Sequence, residues 1–239
     1  MPQKNMYQDA FIWNVFKGCE FDCIYCKSSF QRQAKRQKPT IDKNGNFRGC
    51  QDCYDYKPHF HPERLNQSLP NTVGDQFIWV GSSGDISFCK KERMDLILER
   101  IKKLPHKTFF FQTKDPKYFW DLDLPENVIL GITLETNRGN NYKIISKALI
   151  PPLRANDFIE RIYDRKFITI EPIIDFDLDN FIFLITSINP ERIYIGYDTK
   201  KCRLPEPSLK KTLNLIRKLR ERGFYVKEKL MRKAWWEDQ

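Results

Sequence analysis

No stretch of this 239-residue sequence offers the roughly 18–20 consecutive apolar residues that a bilayer-spanning helix needs. The opening Met1-Pro2-Gln3-Lys4-Asn5 lacks the apolar core of a signal peptide. Internal repeats and low-complexity tracts are absent as well. The seven cysteines are an odd number with no sign of secretion, which argues against a disulfide framework and for thiolate metal binding. A protein of the reducing cytoplasm, with no membrane partner, is therefore expected. What is present suffices for a core: 41% hydrophobic and 14% aromatic residues exclude a wholly disordered chain. The length suits one larger domain, or a core domain with a small insertion.

The formal net charge of +10 is concentrated in patches. Seven basic residues (Lys27, Arg32, Lys35, Arg36, Lys38, Lys43 and Arg48) stand against Asp42 alone. Between Lys210 and Lys233, ten basic residues face only Glu221 and Glu228. Such patches hold nucleic acid or an anionic cofactor, or are simply solvated faces.

From about residue 76 the chain alternates short β-rich runs with helical stretches. Strands are expected at 10–14, 77–80, 108–113, 128–135, 167–171 and 192–195, with a seventh at 225–229. Helices are expected at 91–104, from Asp115-Pro116, and at 142–148, 156–163, 178–188 and 208–222, the last ending at Gly223. This rhythm predicts an α/β fold with a parallel sheet curled into a full or partial barrel. Polar residues collect at the strand ends, where such folds place their sites: Ser82, Ser83 and Asp85; Gln112, Thr113 and Lys114; Glu135, Thr136 and Asn137; Glu171; Tyr197 and Asp198. Residues 27–75 break the rhythm. They are basic and polar, rich in Gly and Pro, and read as an insertion with little regular structure.

Five cysteines fall within one short stretch. Cys19-Glu-Phe-Asp-Cys23-Ile-Tyr-Cys26 puts three thiolates on one loop just after the first strand. Iron–sulfur clusters usually take four thiolates, so three leave one iron open to an exogenous ligand. Gly18 lets the loop turn sharply. The rival is a zinc ribbon built from Cys23, Cys26, Cys50 and Cys53, a nucleic-acid-binding module rather than an enzyme. Its two pairs are separated by 23 residues, a little beyond the usual gap of about 15–20. That reading leaves Cys19 unused and explains none of the barrel rhythm.

The C-x-x-x-C-x-aromatic-C run, with Tyr25 as the aromatic, resembles the signature of the radical S-adenosylmethionine (radical SAM) superfamily. Phe11-Ile-Trp-Asn-Val-Phe-Lys-Gly-Cys19 sits where that family places its first barrel strand. Phe60-His-Pro-Glu-Arg-Leu65, Ile132-Thr-Leu-Glu-Thr-Asn137, Ile168-Thr-Ile-Glu-Pro-Ile173 and Arg232-Lys-Ala-Trp-Trp236 resemble a branch found in phages, bacteria and archaea, distantly similar to spore photoproduct lyase. The resemblance implies a partial (β/α)6-type radical SAM barrel over residues 1–239, with 27–75 inserted after the cluster loop. It implies a 4Fe–4S cluster on Cys19, Cys23 and Cys26, with S-adenosylmethionine (SAM) on the open iron. Tyr25 would lie beside the adenine, and Ser82, Ser83 and Asp85 near the methionine amino group, although Gly81-Ser-Ser-Gly-Asp85 departs from the family's Gly-Gly-Glu-like stretch. Glu135 and Asn137 would meet the ribose, with Glu171 at the next strand end. Cleavage of SAM would yield a 5′-deoxyadenosyl radical for hydrogen abstraction and would draw electrons from a ferredoxin- or flavodoxin-type donor.

Several residues carry two readings. Cys89 is either a hydrogen-atom donor at the barrel mouth or a small buried residue at a helix start. Lys114 and Asp198 are candidates for substrate contact, and Glu135 is either a ligand-binding group or half of a salt bridge with Lys114 or an arginine. Cys50 and Cys53 bind zinc with His59 and His61, or hold a second cluster with a further ligand, or are two reduced thiols, and the histidines read equally as loop residues making ordinary hydrogen bonds. Trp235 and Trp236 are expected to close the bottom or side of the barrel. The substrate is a nucleic acid or nucleotide on the strength of the basic patches, or else a peptide or partner protein.

Overall fold

The computed structural model describes residues 8–237. Seven strands form one wholly parallel sheet: β1 (Ala10–Trp13), β2 (Phe77–Val80), β3 (Phe109–Thr113), β4 (Val128–Thr133), β5 (Lys166–Ile170), β6 (Arg192–Ile195) and β7 (Val226–Glu228). Each pairs with its neighbours in sequence, and among the described residues β1 and β7 do not pair. The curled sheet is thus a half barrel with an open seam, one strand longer than a six-stranded count.

Four longer helices cover the outer face: α1 (Lys91–Lys102), α2 (Pro151–Glu160), α3 (Leu178–Ile188) and α4 (Leu209–Glu221). Side chains alternate across a strand, so Phe109, Phe111, Leu130, Ile132, Ile168, Ile170, Ile193 and Ile195 all point outward. There they pack on Met94, Ile97, Phe158, Ile185, Leu215 and Leu219 from the helices. α2 starts earlier than its apolar spacing suggests, because Pro151 and Pro152 are tolerated in a first turn. Ser208 caps α4 by accepting from Lys211 N–H. The helices expected after Asp115 and at 142–148 shrink to single turns, Pro116–Phe119 and Tyr142–Ile145. In the second, Ser146 turns extended and its hydroxyl accepts from Ala148 N–H instead.

The inner face has an aromatic floor. Phe77, Phe110, Ile129, Phe167 and Tyr194 pack together there, with the Phe77 and Phe110 rings 5.1 Å apart. Gly131 makes room for this layer: a Cβ at that position would lie 2.5 Å from Phe110 Cζ. Toward the C-terminal strand ends the same face turns polar, through Gln112, Thr133 and Thr169 to Lys114, Glu171 and Asp198. The floor therefore closes one end of the half barrel and leaves the other open.

The segment at 27–75 is more regular than its composition suggests. A helical turn at Ile24–Cys26 runs through a π-helical turn, Lys27–Gln31, into Arg32–Ala34. Thr40–Ile41 and Phe47–Arg48 form a small hairpin, closed by Asp42, which accepts from Asn44 and Asn46 N–H. A helix at Gln51–Asp55 follows, and His59–Phe60 then pairs antiparallel with Phe16–Lys17. Local hydrogen-bonding side chains and a return to the strand before the cysteines supply order that a Gly- and Pro-rich composition conceals.

Gly131→Ala should destabilise the protein by about 1–3 kcal/mol through overpacking against Phe110. Urea unfolding of the two proteins measures it, and equal midpoints would contradict the packed floor.

Candidate functional site

At the open end of the half barrel lies a cavity of about 380 Å³. Its size falls within the roughly 300–1,000 Å³ of ordinary small-molecule sites. Cys19, Cys23 and Cys26 all line it and are the only cysteines that do so among the described residues. The loop that carries them is held from three sides. Gly18 donates to Ser83 O and accepts from Asp85 N–H, while Cys19 N–H donates to Tyr56 O. On the far side Phe21 O accepts from Lys147 N–H, and the Cys23 sulfur lies 3.1 Å from Ser146 Oγ. Asp22 takes a left-handed φ of 50°, a conformation Asp tolerates better than most residues, and pairs with Lys27 and Lys147.

The thiols are unlike one another. A hydrogen bond from Cys26 pulls the Cys23 thiol down against the effect of burial, and Lys114 adds to the shift. The same shared proton, with burial, pushes Cys26 up. Burial pushes Cys19 up as well, with the Asp85 carboxylate adding to it. Cys23 and Cys26 thus share a proton, and thiols must release their protons to become metal ligands.

Glu135 is the most committed group at this end. It is 0% exposed. Its Oε1 accepts from Tyr25 OH at 2.6 Å, Lys114 Nζ at 2.5 Å and Tyr142 OH at 2.8 Å, and its Oε2 accepts from Arg154 at 3.1 Å. Burial alone would raise its pKa, but Arg154 and Lys114, with the hydrogen bonds of Lys114 and Tyr25, bring it down to about 2. Lys114 stays charged because that carboxylate outweighs the penalty of burial. The salt bridge is the reading that the geometry supports. Glu135 has no oxygen open to the cavity and acts by holding Tyr25 and Lys114 in its wall.

The other strand-end residues divide into two groups. Ser82 and Asp85 line the cavity. Both are fixed: Ser82 Oγ donates to Asn14, and Asp85 accepts from Thr113 Oγ1, Lys114 N–H and the Ser87 N–H and hydroxyl. Glu171 lines it too, paired with Lys229 and raised in pKa by burial. Asp198 lines it while accepting from Lys200 and Cys202 N–H. Ser83 instead accepts from Asn14 Nδ2 and faces a smaller hollow beside Gly18. Asn137 lies away from the cavity, exchanging hydrogen bonds with Asp177 N–H and O, because β4 ends at Thr133 and the chain has turned outward by then.

Cys89 is not at the barrel mouth. The turn at Ile86–Phe88, started by Asp85, carries it behind the sheet into the outer core, where burial pushes its thiol up to about 12. The ribbon of Cys23, Cys26, Cys50 and Cys53 is not formed either, since the two pairs face different partners. Cys50 and Cys53 gather with His59 and His61, all four ligand atoms lying within 4.8 Å of one another. Trp235 and Trp236 donate to Leu204 O and Glu206 O, pinning the loop after β6 at the open end of the half barrel rather than closing its bottom.

Sequence reasoning missed Asn14, Tyr142, Ser146, Arg154 and Tyr56. Arg154 was legible in one respect: an arginine on the apolar stripe of an amphipathic helix is rarely buried without a partner. The others have no local signal: Asn14 and Ser146 act across more than sixty residues of sequence, Tyr56 through its backbone, and Tyr142 through a carboxylate seven residues away that only the fold brings into reach.

Because Glu135 is ionised well below its ordinary 4.5, the stability it contributes is present above that value and is lost as pH falls toward 2. The difference in stability between the wild type and Glu135→Gln should therefore shrink across that interval, as read by thermal unfolding. At neutral pH, Arg154→Met should cost about 3–5 kcal/mol by leaving the carboxylate short of a partner.

No family model and no curated protein matches the chain. Its structure is similar to the crystal structure of Streptococcus suis SuiB bound to the precursor peptide SuiA, with a TM-score of 0.54 at 8% sequence identity. The match covers 94% of this chain and 49% of SuiB, so the chain spans about half the length of that neighbour. No helix among the described residues is long and apolar enough to cross a membrane. SuiB is a radical SAM enzyme, and at this identity what the two proteins share is the fold.

Proposed function

We propose that this protein is a radical SAM enzyme, with Cys19, Cys23 and Cys26 holding a 4Fe–4S cluster beside a cavity that receives SAM. The observation that carries this reading is that three thiols at the open end of a parallel half barrel line that cavity, and among the described residues no other cysteine does. The donor set fits: three sulfurs suit a cluster that keeps one iron for an exogenous ligand. When bound and reduced by a ferredoxin- or flavodoxin-type donor in a reducing cytoplasm, cluster and SAM together supply a 5′-deoxyadenosyl radical for hydrogen abstraction.

The chain's own residues bind and orient. Tyr25, fixed through its hydroxyl to Glu135, offers a ring face to the adenine. Ser82 and Asp85 present a rigid polar turn to the methionine end, because their partners already hold them. Glu171 with Lys229, and Asp198, are the polar groups left for ribose or substrate. Lys114 holds a positive charge in the cavity wall. Residues 1–239 are read as one such domain with 27–75 inserted.

For the substrate, Lys27, Arg32, Lys35 and Arg36 extend a basic surface from the helix that follows the cysteines, which favours a nucleic acid or nucleotide. The distant likeness to spore photoproduct lyase, carried by the sequence motifs, points the same way. A peptide is the competing substrate, since the similar fold of SuiB is seen with a precursor peptide.

The protein purified without oxygen should hold about four irons and four acid-labile sulfides beside any other metal. It should form 5′-deoxyadenosine when given SAM and a strong reductant. Cys19→Ala, Cys23→Ala and Cys26→Ala should each abolish both, and a protein without labile sulfide or SAM cleavage would sink the reading. If a polynucleotide is the substrate, its binding should weaken steeply with salt through counterion release, whereas a flat dependence points to the peptide.

A further inference from the structure

The group formed by Cys50, Cys53, His59 and His61 lies outside the cavity and plays no part in the reading above. We propose that it binds one structural zinc ion, and that this ion clamps the entrance to the three-cysteine loop. The ligand atoms are already together. His59 Nε2 lies 3.4 Å from Cys50 Sγ, 3.2 Å from Cys53 Sγ and 2.8 Å from His61 Nε2, and Cys53 Sγ lies 3.2 Å from His61 Nε2. In a tetrahedral zinc site with bonds of about 2.0–2.3 Å, neighbouring ligand atoms sit about 3.3–3.8 Å apart, so a small outward shift seats the ion. Cys53 approaches both imidazoles, which suits a mononuclear site. A two-iron cluster with cysteines on one iron and histidines on the other would keep them apart.

The backbone explains how so compact a motif converges. Cys50 caps the helix Gln51–Asp55, and its sulfur accepts from Cys53 N–H, so the two thiols share one turn. His59 and His61 are two residues apart on extended chain, where alternation puts both rings on one face, and a single intervening residue is therefore enough. Each ring is also oriented from behind: His59 Nδ1 bonds Lys57 O at 2.7 Å, and His61 Nδ1 bonds Glu63 Oε1 at 2.7 Å. A backbone carbonyl and a carboxylate behind the imidazoles fix the tautomer in which Nε2 is free to bind metal.

The clamp follows from what lies between the two ligand pairs. Tyr56, left-handed at φ 59°, ends the helix, accepts from Cys19 N–H through its carbonyl, and lines the cavity with its side chain. The next residue, Lys57, packs so closely on Gly18 that a Cβ there would overlap the Lys57 carbonyl. From the other side, Lys17 Nζ reaches Cys53 Sγ at 3.2 Å, and Phe16–Lys17 pairs with His59–Phe60. A metal joining Cys50 and Cys53 to His59 and His61 therefore holds the surface on which Gly18 and Cys19 rest.

The ion can be tested apart from the cluster reading, in the full chain with Cys19, Cys23 and Cys26 all replaced by alanine. That protein should carry about one zinc per chain and no labile sulfide, and adding Cys53→Ser with His61→Ala should remove the zinc. Should the latter variant fail to fold, cobalt(II) added to the metal-stripped triple variant should give the visible bands of a tetrahedral, thiolate-bearing site. Absence of zinc and of those bands, zinc that survives the added substitutions, or iron with sulfide in the triple variant would each overturn the site. For the clamp, stripping zinc should speed hydrogen exchange over residues 16–19 about tenfold or more while β3 to β5 stay protected. Unchanged exchange at 16–19 would overturn that part.

Discussion

A carboxylate with no exposed surface survives inside a protein only when its charge is met, and at Glu135 the requirement organises the open end of the half barrel. The donors that meet it come from the cysteine loop (Tyr25), the end of β3 (Lys114), a short helical turn (Tyr142) and α2 (Arg154). Removing the carboxylate strands two buried cations, and removing either cation leaves the carboxylate short of a partner, so the elements are held as a set. Tyr25 lies next to Cys26, which makes the orientation of the cysteine loop depend on a charge balance set by residues 89 or more positions away.

A second constraint is steric. The chain before Cys19 passes between the Gly81–Asp85 turn and the segment at Tyr56–Lys57, and Gly18 and Gly84 meet there in a parallel bridge. A side chain at either glycine would run into backbone. Gly18 also needs its φ of 89°, which only glycine adopts freely. Asn14 completes the junction, since its amide engages both Ser82 and Ser83 and so sets the turn that carries Asp85. The polar turn and the cysteine loop are therefore one unit, and a shift in one moves the other.

Much of this was legible in the sequence because it is written in local terms. The uninterrupted apolar runs at β3, β4, β5 and β6 are what a sheet covered outside by helices and floored inside by aromatics demands. The cysteine run could be singled out because three cysteines at short spacing on one loop converge on one place, and all three line the cavity. Asn137 was misplaced because whether a residue just past a strand end faces inward depends on where the strand stops, and β4 stops four residues before it. Cys89 met the second of its two readings, a small buried residue ahead of a helix. Asn14 and Tyr142 could not be singled out, because what makes them matter is a partner that tertiary structure supplies.

The order found within 27–75 has the same origin. Its hairpin and helical turns are too short to be stable by themselves, and each gains from a few hydrogen bonds and from the chain it leans on. The part from Cys50 to His61 leans on Phe16–Lys17, the stretch that delivers Cys19 to the cavity. Two sulfur-rich groups thus attach to one short strand, one paired beside it and one on the loop that follows it, and differ in how they are closed. The outer one has four nitrogen and sulfur donors with their orienting partners, a complete coordination shell. The inner one has three thiols facing a cavity. A closed shell suits a metal that holds structure, and an open one suits a metal that must also take a ligand. On the proposed readings, donor count is what separates the work of the two groups.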